Sequence, residues 1–263
     1  MTLIGKRAPS FVAPAVIDGE DIKQNFSLNA YLGRQAVLFF FYPKDFTFVC
    51  PTELLELQKR SDDFSERNVT IVGCSTDTEE THWAWLHVEE GQGGIAGVKY
   101  PLVADSSKTI AANYGVLGGT WYIDEDDEMQ FDGLPVAYRG VFLIDEEGIV
   151  RHMSINDLSL GRNIDELLRT IDMMRHVDEY GEVCPVNWHA GAKAFEPTAQ
   201  GLATYLQERP FRQKDGQCGC MCGKGKRCQN CQCRSKEPTS AHIQCSQCGC
   251  EKGNCRCEPR NSV

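Results

Sequence analysis

The chain has no apolar run longer than the seven residues 36–42, far short of the roughly 20 residues a helix needs to span a bilayer. That length excludes a membrane-spanning helix, and no membrane partner is expected. The N-terminal residues, Met1-Thr2-Leu3-Ile4-Gly5-Lys6, lack the apolar stretch of a secretory signal, so the expected location is the cytoplasm. Reducing conditions there argue against reading the 14 cysteines as structural disulfides. Positive charge is scarce where most of the chain lies: residues 1–213 hold 18 Lys+Arg against 33 Asp+Glu, which leaves no electrostatic footprint for nucleic acid. The same residues contain no C-x-x-C pair, which disfavours a thioredoxin-like disulfide exchanger. Residues 214–263 lack aromatics, and Ile243 and Val263 are almost their only bulky aliphatics, so they cannot build a hydrophobic core.

What is present centres on Cys50. An apolar, strand-like run over residues 36–42 leads into Pro43-Lys44-Asp45-Phe46-Thr47-Phe48-Val49-Cys50-Pro51-Thr52-Glu53, and Leu54, Leu57 and Phe64 then recur at helical spacing. Pro51 suits the first helical position, where its missing N–H is no loss. The sulfur is therefore expected at a helix N-terminus, where unpaired N–H groups and the helix dipole favour a thiolate. Cys74, inside the apolar run Thr70-Ile71-Val72-Gly73-Cys74, reads as packing. Strands are expected over residues 36–42, 68–75, 100–104, 137–145 and 148–155, and helices over 51–67, 78–90, 107–114 and 163–180. This alternation describes a layered α/β domain. Residues 120–135, with five consecutive acids from Asp124 to Glu128, are expected to form a solvated loop, with a docking site for a reductase or a cation as the alternative.

Pro43, Thr47 and Cys50 form P-x-x-x-T-x-x-C. Three further segments follow in order: Tyr138-Arg139-Gly140-Val141-Phe142, Leu160-Gly161-Arg162-Asn163-Ile164-Asp165-Glu166, and Gly181-Glu182-Val183-Cys184-Pro185-Val186-Asn187-Trp188. Together they resemble the typical two-cysteine peroxiredoxins, the group of thioredoxin peroxidases and the peroxidatic subunit of alkyl hydroperoxide reductase. The resemblance covers about residues 3–210. It implies a thioredoxin-like fold and a peroxidase that needs no cofactor, with Cys50 attacking the peroxide and becoming a sulfenic acid. It further implies that Thr47 gives a hydroxyl to the site and Arg139 a fixed positive charge. Pro43 would shield the sulfur, Glu53 orient a guanidinium, and Arg162 add a second cation. Cys184 would be the resolving cysteine, supplied by a second subunit, so at least a homodimer is implied, with a decamer left open. Thioredoxin or a flavoprotein reductase would regenerate the disulfide. Members that overoxidise readily carry Gly-Gly-Leu-Gly and a C-terminal Tyr-Phe. The equivalents here, Gly93-Gly94-Ile95-Ala96 and Tyr205-Leu206, imply intermediate resistance.

The expected domains are therefore 1–213, a peroxiredoxin domain with its arm, and 214–263, a cysteine-rich extension. The latter carries Cys218, Cys220, Cys222, Cys228, Cys231 and Cys233, then Cys245, Cys248, Cys250, Cys255 and Cys257, at the C-x-C and C-x-x-C spacings that hold Zn(II) or Cu(I). It resembles metallothioneins, with His242 as an additional candidate ligand. A thiol reservoir or reductant for Cys50 and a disulfide-stapled tail are the alternatives. For the whole chain the competing reading is a metal-buffering protein on a peroxiredoxin scaffold.

Overall fold

The computed structural model describes residues 2–208. All eleven tail cysteines and His242 lie outside the described residues. Two compact units divide after Phe195, and each is described by itself.

In the first unit a seven-stranded sheet runs in the order β2-β1-β5-β4-β3-β8-β9. Its strands are β1 (Ala13–Ile17), β2 (Asp21–Phe26), β3 (Ala36–Phe41), β4 (Val69–Ser75), β5 (Leu102–Ala104), β8 (Arg139–Ile144) and β9 (Val150–Asn156). β3 pairs in parallel with β4 and antiparallel with β8. A central strand covered on both faces must be apolar throughout, and all six β3 residues are buried. Their side chains alternate between two layers. Leu38 and Phe40 face the cluster built with α1 (Cys50–Lys59), α2 (Ser61–Glu66), α3 (Glu79–Leu86) and α5 (Ile164–Tyr180). Val37, Phe39 and Phe41 face the cluster that holds Ile110 and Ala111 of α4 (Thr109–Asn113). This is the mixed α/β, thioredoxin-like arrangement expected.

Three departures from the expected elements stand out. The helix expected over 51–67 is two helices, because Arg60 leaves helical geometry (φ −97°, ψ 11°) and its guanidinium engages Asp63 and Asp165. Strands β1 and β2 carried no recognised signal: β2 exposes five of its six residues and lies at the sheet edge, where nothing imposes an apolar alternation. Residues 120–135 are not a loop but belong to a hairpin of β6 (Leu117–Ile123) and β7 (Met129–Ala137). Asp124 closes its turn, its carboxylate accepting the N–H groups of Asp126 and Glu128 and the side-chain amide of Gln130. The hairpin also needs Gly119, where a Cβ would sit 2.3 Å from the carbonyl oxygen of Asp132.

The second unit contains α6 (Ala199–Glu208), begun by the Thr198 hydroxyl, which accepts from Gly201 N. Tyr205 and Leu206 lie on it. No helix among the described residues is long and apolar enough to cross a membrane.

Candidate active site

Cys50 is the first residue of α1, with Pro51 next and Val49 as N-cap, and no side chain caps the helix. The thiol is fully buried. Apolar burial alone disfavours a thiolate, so what faces the sulfur decides its chemistry. That group is Arg139, the first residue of β8, whose Nη1 donates to Cys50 Sγ at 3.4 Å.

Arg139 is held from three sides. Its Nε donates to the Leu158 carbonyl at 2.7 Å, and Nη1, besides the sulfur, reaches Glu53 Oε2 at 2.7 Å. Glu53 lies three residues beyond Cys50, one helical turn along α1, so the helix that carries this cysteine also carries the anchor of the cation facing it. The Glu53 carboxylate accepts four N–H groups. One comes from Arg139, and Arg162 supplies its backbone N–H at 2.8 Å, Nε at 2.9 Å and Nη2 at 2.8 Å. Arg162 Nη1 spans the carbonyls of Phe41 and Gly140, and its guanidinium carbon lies 5.0 Å from the Phe40 ring centroid. All three charged side chains are 3 % exposed. Burial pushes the Glu53 carboxyl up, but the Arg162 and Arg139 guanidinium groups outweigh it and hold it below the usual carboxylate range. The structure thus brings together Cys50, Glu53, Arg139 and Arg162. Arg162 bonds Glu53 and backbone carbonyls, which makes it a buttress of the anchor.

Pro43 and Thr47 lie in the loop before α1. Pro43 is buried. The Thr47 hydroxyl donates to the Lys44 carbonyl at 2.9 Å, so its proton is turned toward the loop, and its oxygen keeps lone pairs to accept from an incoming group. Cys184 follows α5 and is half-buried, its thiol donating weakly to the Met173 carbonyl at 3.9 Å. Burial and Glu182 push that thiol up, with Arg169 opposing. Cys50, Cys74 and Cys184 are all free thiols. Cys74 is fully buried on β4, and burial, with Asp105 adding to it, pushes its thiol well up, in keeping with a packing role.

Two groups escaped the sequence reading. The Leu158 carbonyl has no side-chain signature. The buried contact between Asp45 and His82, 2.7 Å long, joins residues 37 apart, and its only trace was an acid two residues after Pro43. Gly93 and Gly94 of the Gly-Gly-Ile-Ala segment are structurally required. Gly93 has φ 82°, and a Cβ on Gly94 would lie 1.8 Å from the Val88 carbonyl oxygen.

Residues 4–153 match the model of the AhpC/TSA family, and residues 173–208, which include Cys184, match that of the C-terminal domain of 1-Cys peroxiredoxin. Alkyl hydroperoxide reductase C of Helicobacter pylori is 44 % identical over 210 residues, covering 80 % of this chain and 99 % of the relative. Peroxiredoxin-1 of Gallus gallus is 42 % identical over 206 residues, covering 78 % and 96 %. The crystal structure of the reduced 2-Cys peroxiredoxin of Plasmodium vivax is 41 % identical and superposes with a TM-score of 0.70, over 79 % of this chain and 100 % of that one. With a cysteine, an arginine and a glutamate in one buried cluster and family matches at residues 4–153 and 173–208, the chain belongs to the AhpC/TSA family of peroxiredoxins.

Proposed function

We propose that the chain is a thiol peroxidase in which Cys50 reduces hydrogen peroxide or an organic hydroperoxide and Cys184 of a partner subunit completes the cycle. The observation that carries the reading is the bridge of Arg139 Nη1 between Cys50 Sγ and Glu53 Oε2. A cation fixed at that point faces the sulfur before reaction and meets the charge that develops on oxygen during it. Arginine serves better than lysine because its donors are planar, directional and always charged.

The Cys50 thiolate forms an S–O bond to the terminal peroxide oxygen as the O–O bond breaks. The other oxygen leaves with the electron pair and is protonated to water or an alcohol, and the sulfur becomes a sulfenic acid. The Cys184 thiol then attacks that sulfur, an S–S bond forms and water departs. An external dithiol, thioredoxin or a flavoprotein reductase, returns two electrons and two protons. In this reading the resident chemistry of residues 1–213 requires no cofactor, and the cation that would otherwise be a metal is Arg139.

The clustered thiols of residues 214–263 are suited to soft metal, Zn(II) or Cu(I), and eleven are too few for four separate tetrahedral sites, so a four-metal cluster would share sulfurs. Stopped-flow mixing with peroxide, followed by intrinsic fluorescence, tests the whole. Wild type and a truncation after Gln213 react rapidly, and Cys50→Ser is silent. Turnover that survives Cys50→Ser, or that disappears with the tail, would remove the assignment in favour of tail chemistry.

A further inference from the structure

Strands β6 and β7 form a sheet of their own, paired with no other strand among the described residues. A two-stranded ribbon is marginal in water unless something packs on one of its faces. Alternation along the strands sorts the side chains by face. Trp121 lies opposite Phe131 and Ile123 opposite Met129, two cross-strand apolar pairs on one face. The rings of Trp121 and Phe131 meet edge to face with centroids 4.8 Å apart, and Gly119 leaves the room that the Phe131 ring fills. On the other face Thr120 lies opposite Asp132 and Tyr122 opposite Gln130.

The first face carries no charge, yet it is open: Trp121, Ile123 and Met129 are 52, 65 and 69 % exposed. Apolar groups gathered on one side of a ribbon and left in water mark a contact surface. All six acids of residues 117–137 lie elsewhere, five in the turn from Asp124 to Glu128 and Asp132 on the other face, with no Lys or Arg among them. A cationic partner would match the turn but not this face. An uncharged apolar face is matched by its own copy. Two hairpins laid face to face in opposite directions hold their acidic turns about 20 Å apart, beyond the screening length of about 8–10 Å. The exposed parts of the four side chains amount to about 400 Å² a copy, on a scale where a whole aromatic side chain buries about 150–250 Å². Paired, they bury about 800 Å², the boundary between incidental contacts and specific interfaces. A contact of that size is weak alone and effective between copies that are already joined.

We propose that the apolar face of the β6–β7 hairpin packs against the same face of a second copy across a twofold axis, and so joins subunit pairs into a larger assembly. The inference rests on the subunit pairing of the function proposed above and adds a separate contact to it. Packed as two sheets about 10 Å apart, each ribbon gains the cover it lacks. Salt strengthens the contact, because it screens the acidic turns from one another and leaves the apolar burial in place.

Sedimentation velocity on the reduced full chain, over a range of concentrations, reads the assembly. Wild type is expected to exceed a dimer, and more so as salt is raised. Ile123→Thr with Met129→Thr keeps the Trp121–Phe131 pair and the strand preference of both positions. This double variant is expected to fall back to the dimer, with the dissociation constant between dimers raised at least about tenfold. Tyr122→Thr with Gln130→Thr alters the neighbouring cross-strand pair on the opposite face and is expected to assemble as wild type does, as is a truncation after Gln213. A wild type that stops at the dimer or below overturns the contact, as do unchanged assembly in the first double variant or equal losses in both. Dissociation by salt would reveal a cationic surface bound to the acids, and dissociation by truncation would make residues 214–263 the occupant; either result also overturns it. Subunit pairing is read separately on the peroxide-treated protein, where absence of a Cys50–Cys184 disulfide between subunits overturns the function instead.

Discussion

Replacing Glu53 by glutamine tests the site at its anchor. The carboxylate accepts two N–H groups on each oxygen: Arg162 N and Nε on Oε1, Arg139 Nη1 and Arg162 Nη2 on Oε2. Glutamine has one acceptor oxygen, so two donors lose their partner whichever way the amide turns, and its NH2 then confronts guanidinium N–H groups. Removing one member of a buried ion pair costs about 3–5 kcal/mol, most of it from the charge left uncompensated. Here two guanidinium groups depend on one carboxylate. The expected loss at pH 7 is therefore about 3–5 kcal/mol, measured by urea unfolding at fixed protein concentration with the fluorescence of buried Trp85 and Trp188. The gap should also depend on pH with a definite sign. The folded Glu53 lies below its ordinary value, so its contribution is complete above the unfolded carboxyl value of about 4.3 and disappears as pH falls through the lower folded value. Wild type and Glu53→Gln should stay separated from pH 7 to about pH 5 and converge below. A difference under about 1 kcal/mol at pH 7, or one undiminished at pH 2.5, would refute the reasoning.

Four further outcomes follow from the same geometry. Arg139→Lys cannot reach the Leu158 carbonyl, Glu53 and Cys50 together, and its rate of peroxide consumption should fall about 10²–10³-fold, with Cys50 alkylation as a check that the thiol is intact. Glu182→Gln removes one of the two influences that raise the Cys184 thiol, so disulfide formation should quicken near neutrality and its pH profile move to lower pH. Truncation after Gln213 should leave Cys50 oxidation within about twofold of wild type while removing Zn or Cu(I) from protein purified anaerobically, read by elemental analysis. Peroxide-dependent inactivation should show intermediate resistance to sulfinic acid formation, and loss of activity at low micromolar peroxide would contradict the reading of Gly93-Gly94-Ile95-Ala96.

The site was more legible in the sequence than the fold around it. Pro43, Thr47 and Cys50 lie within eight residues, so their spacing survives in one dimension, and the chemistry demanded an arginine that a family resemblance placed at 139. The direction of support was less visible. Glu53 was expected to orient a guanidinium and engages two, those of Arg139 and Arg162; Arg162 was expected to add a second cation to the site but bonds Glu53 and backbone carbonyls, and among the described residues Arg139 is the partner of the sulfur. The central strands were readable because burial on both faces leaves a continuous apolar run, as in Ala36–Phe41. Edge strand Asp21–Phe26 was not, because its order comes from backbone pairing with β1, which leaves little mark on side-chain polarity. The hairpin of β6 and β7 hid behind its own turn: five acids read as solvated chain, when the first of them, Asp124, organises the reversal.

The start of α1 answers two opposed demands. To react with peroxide, Cys50 must sit buried against Arg139; to form the proposed disulfide it must come within the short Cα separations, about 4.4–6.8 Å, that an S–S bond permits. A sulfur with no exposed surface cannot meet a second one there unless the first turn of the helix moves. The helix begins accordingly without a side-chain cap: Val49 offers only its carbonyl, accepting from Thr52 N and Glu53 N at 3.1 and 3.4 Å. A serine, threonine or aspartate cap is worth about 1 kcal/mol, and its absence lowers the work of unwinding that turn by a similar amount. Beyond it, Glu53 is held by four N–H donors, so the helix is weakly tied at the nucleophile and firmly tied one turn later. Unwinding should therefore stop before Glu53. Hydrogen exchange on the reduced protein checks this, with fast exchange at Thr52 N and slow exchange from Leu54 onward as the expected pattern; uniform protection across residues 52–57 would mean that the sulfur is released by some other motion.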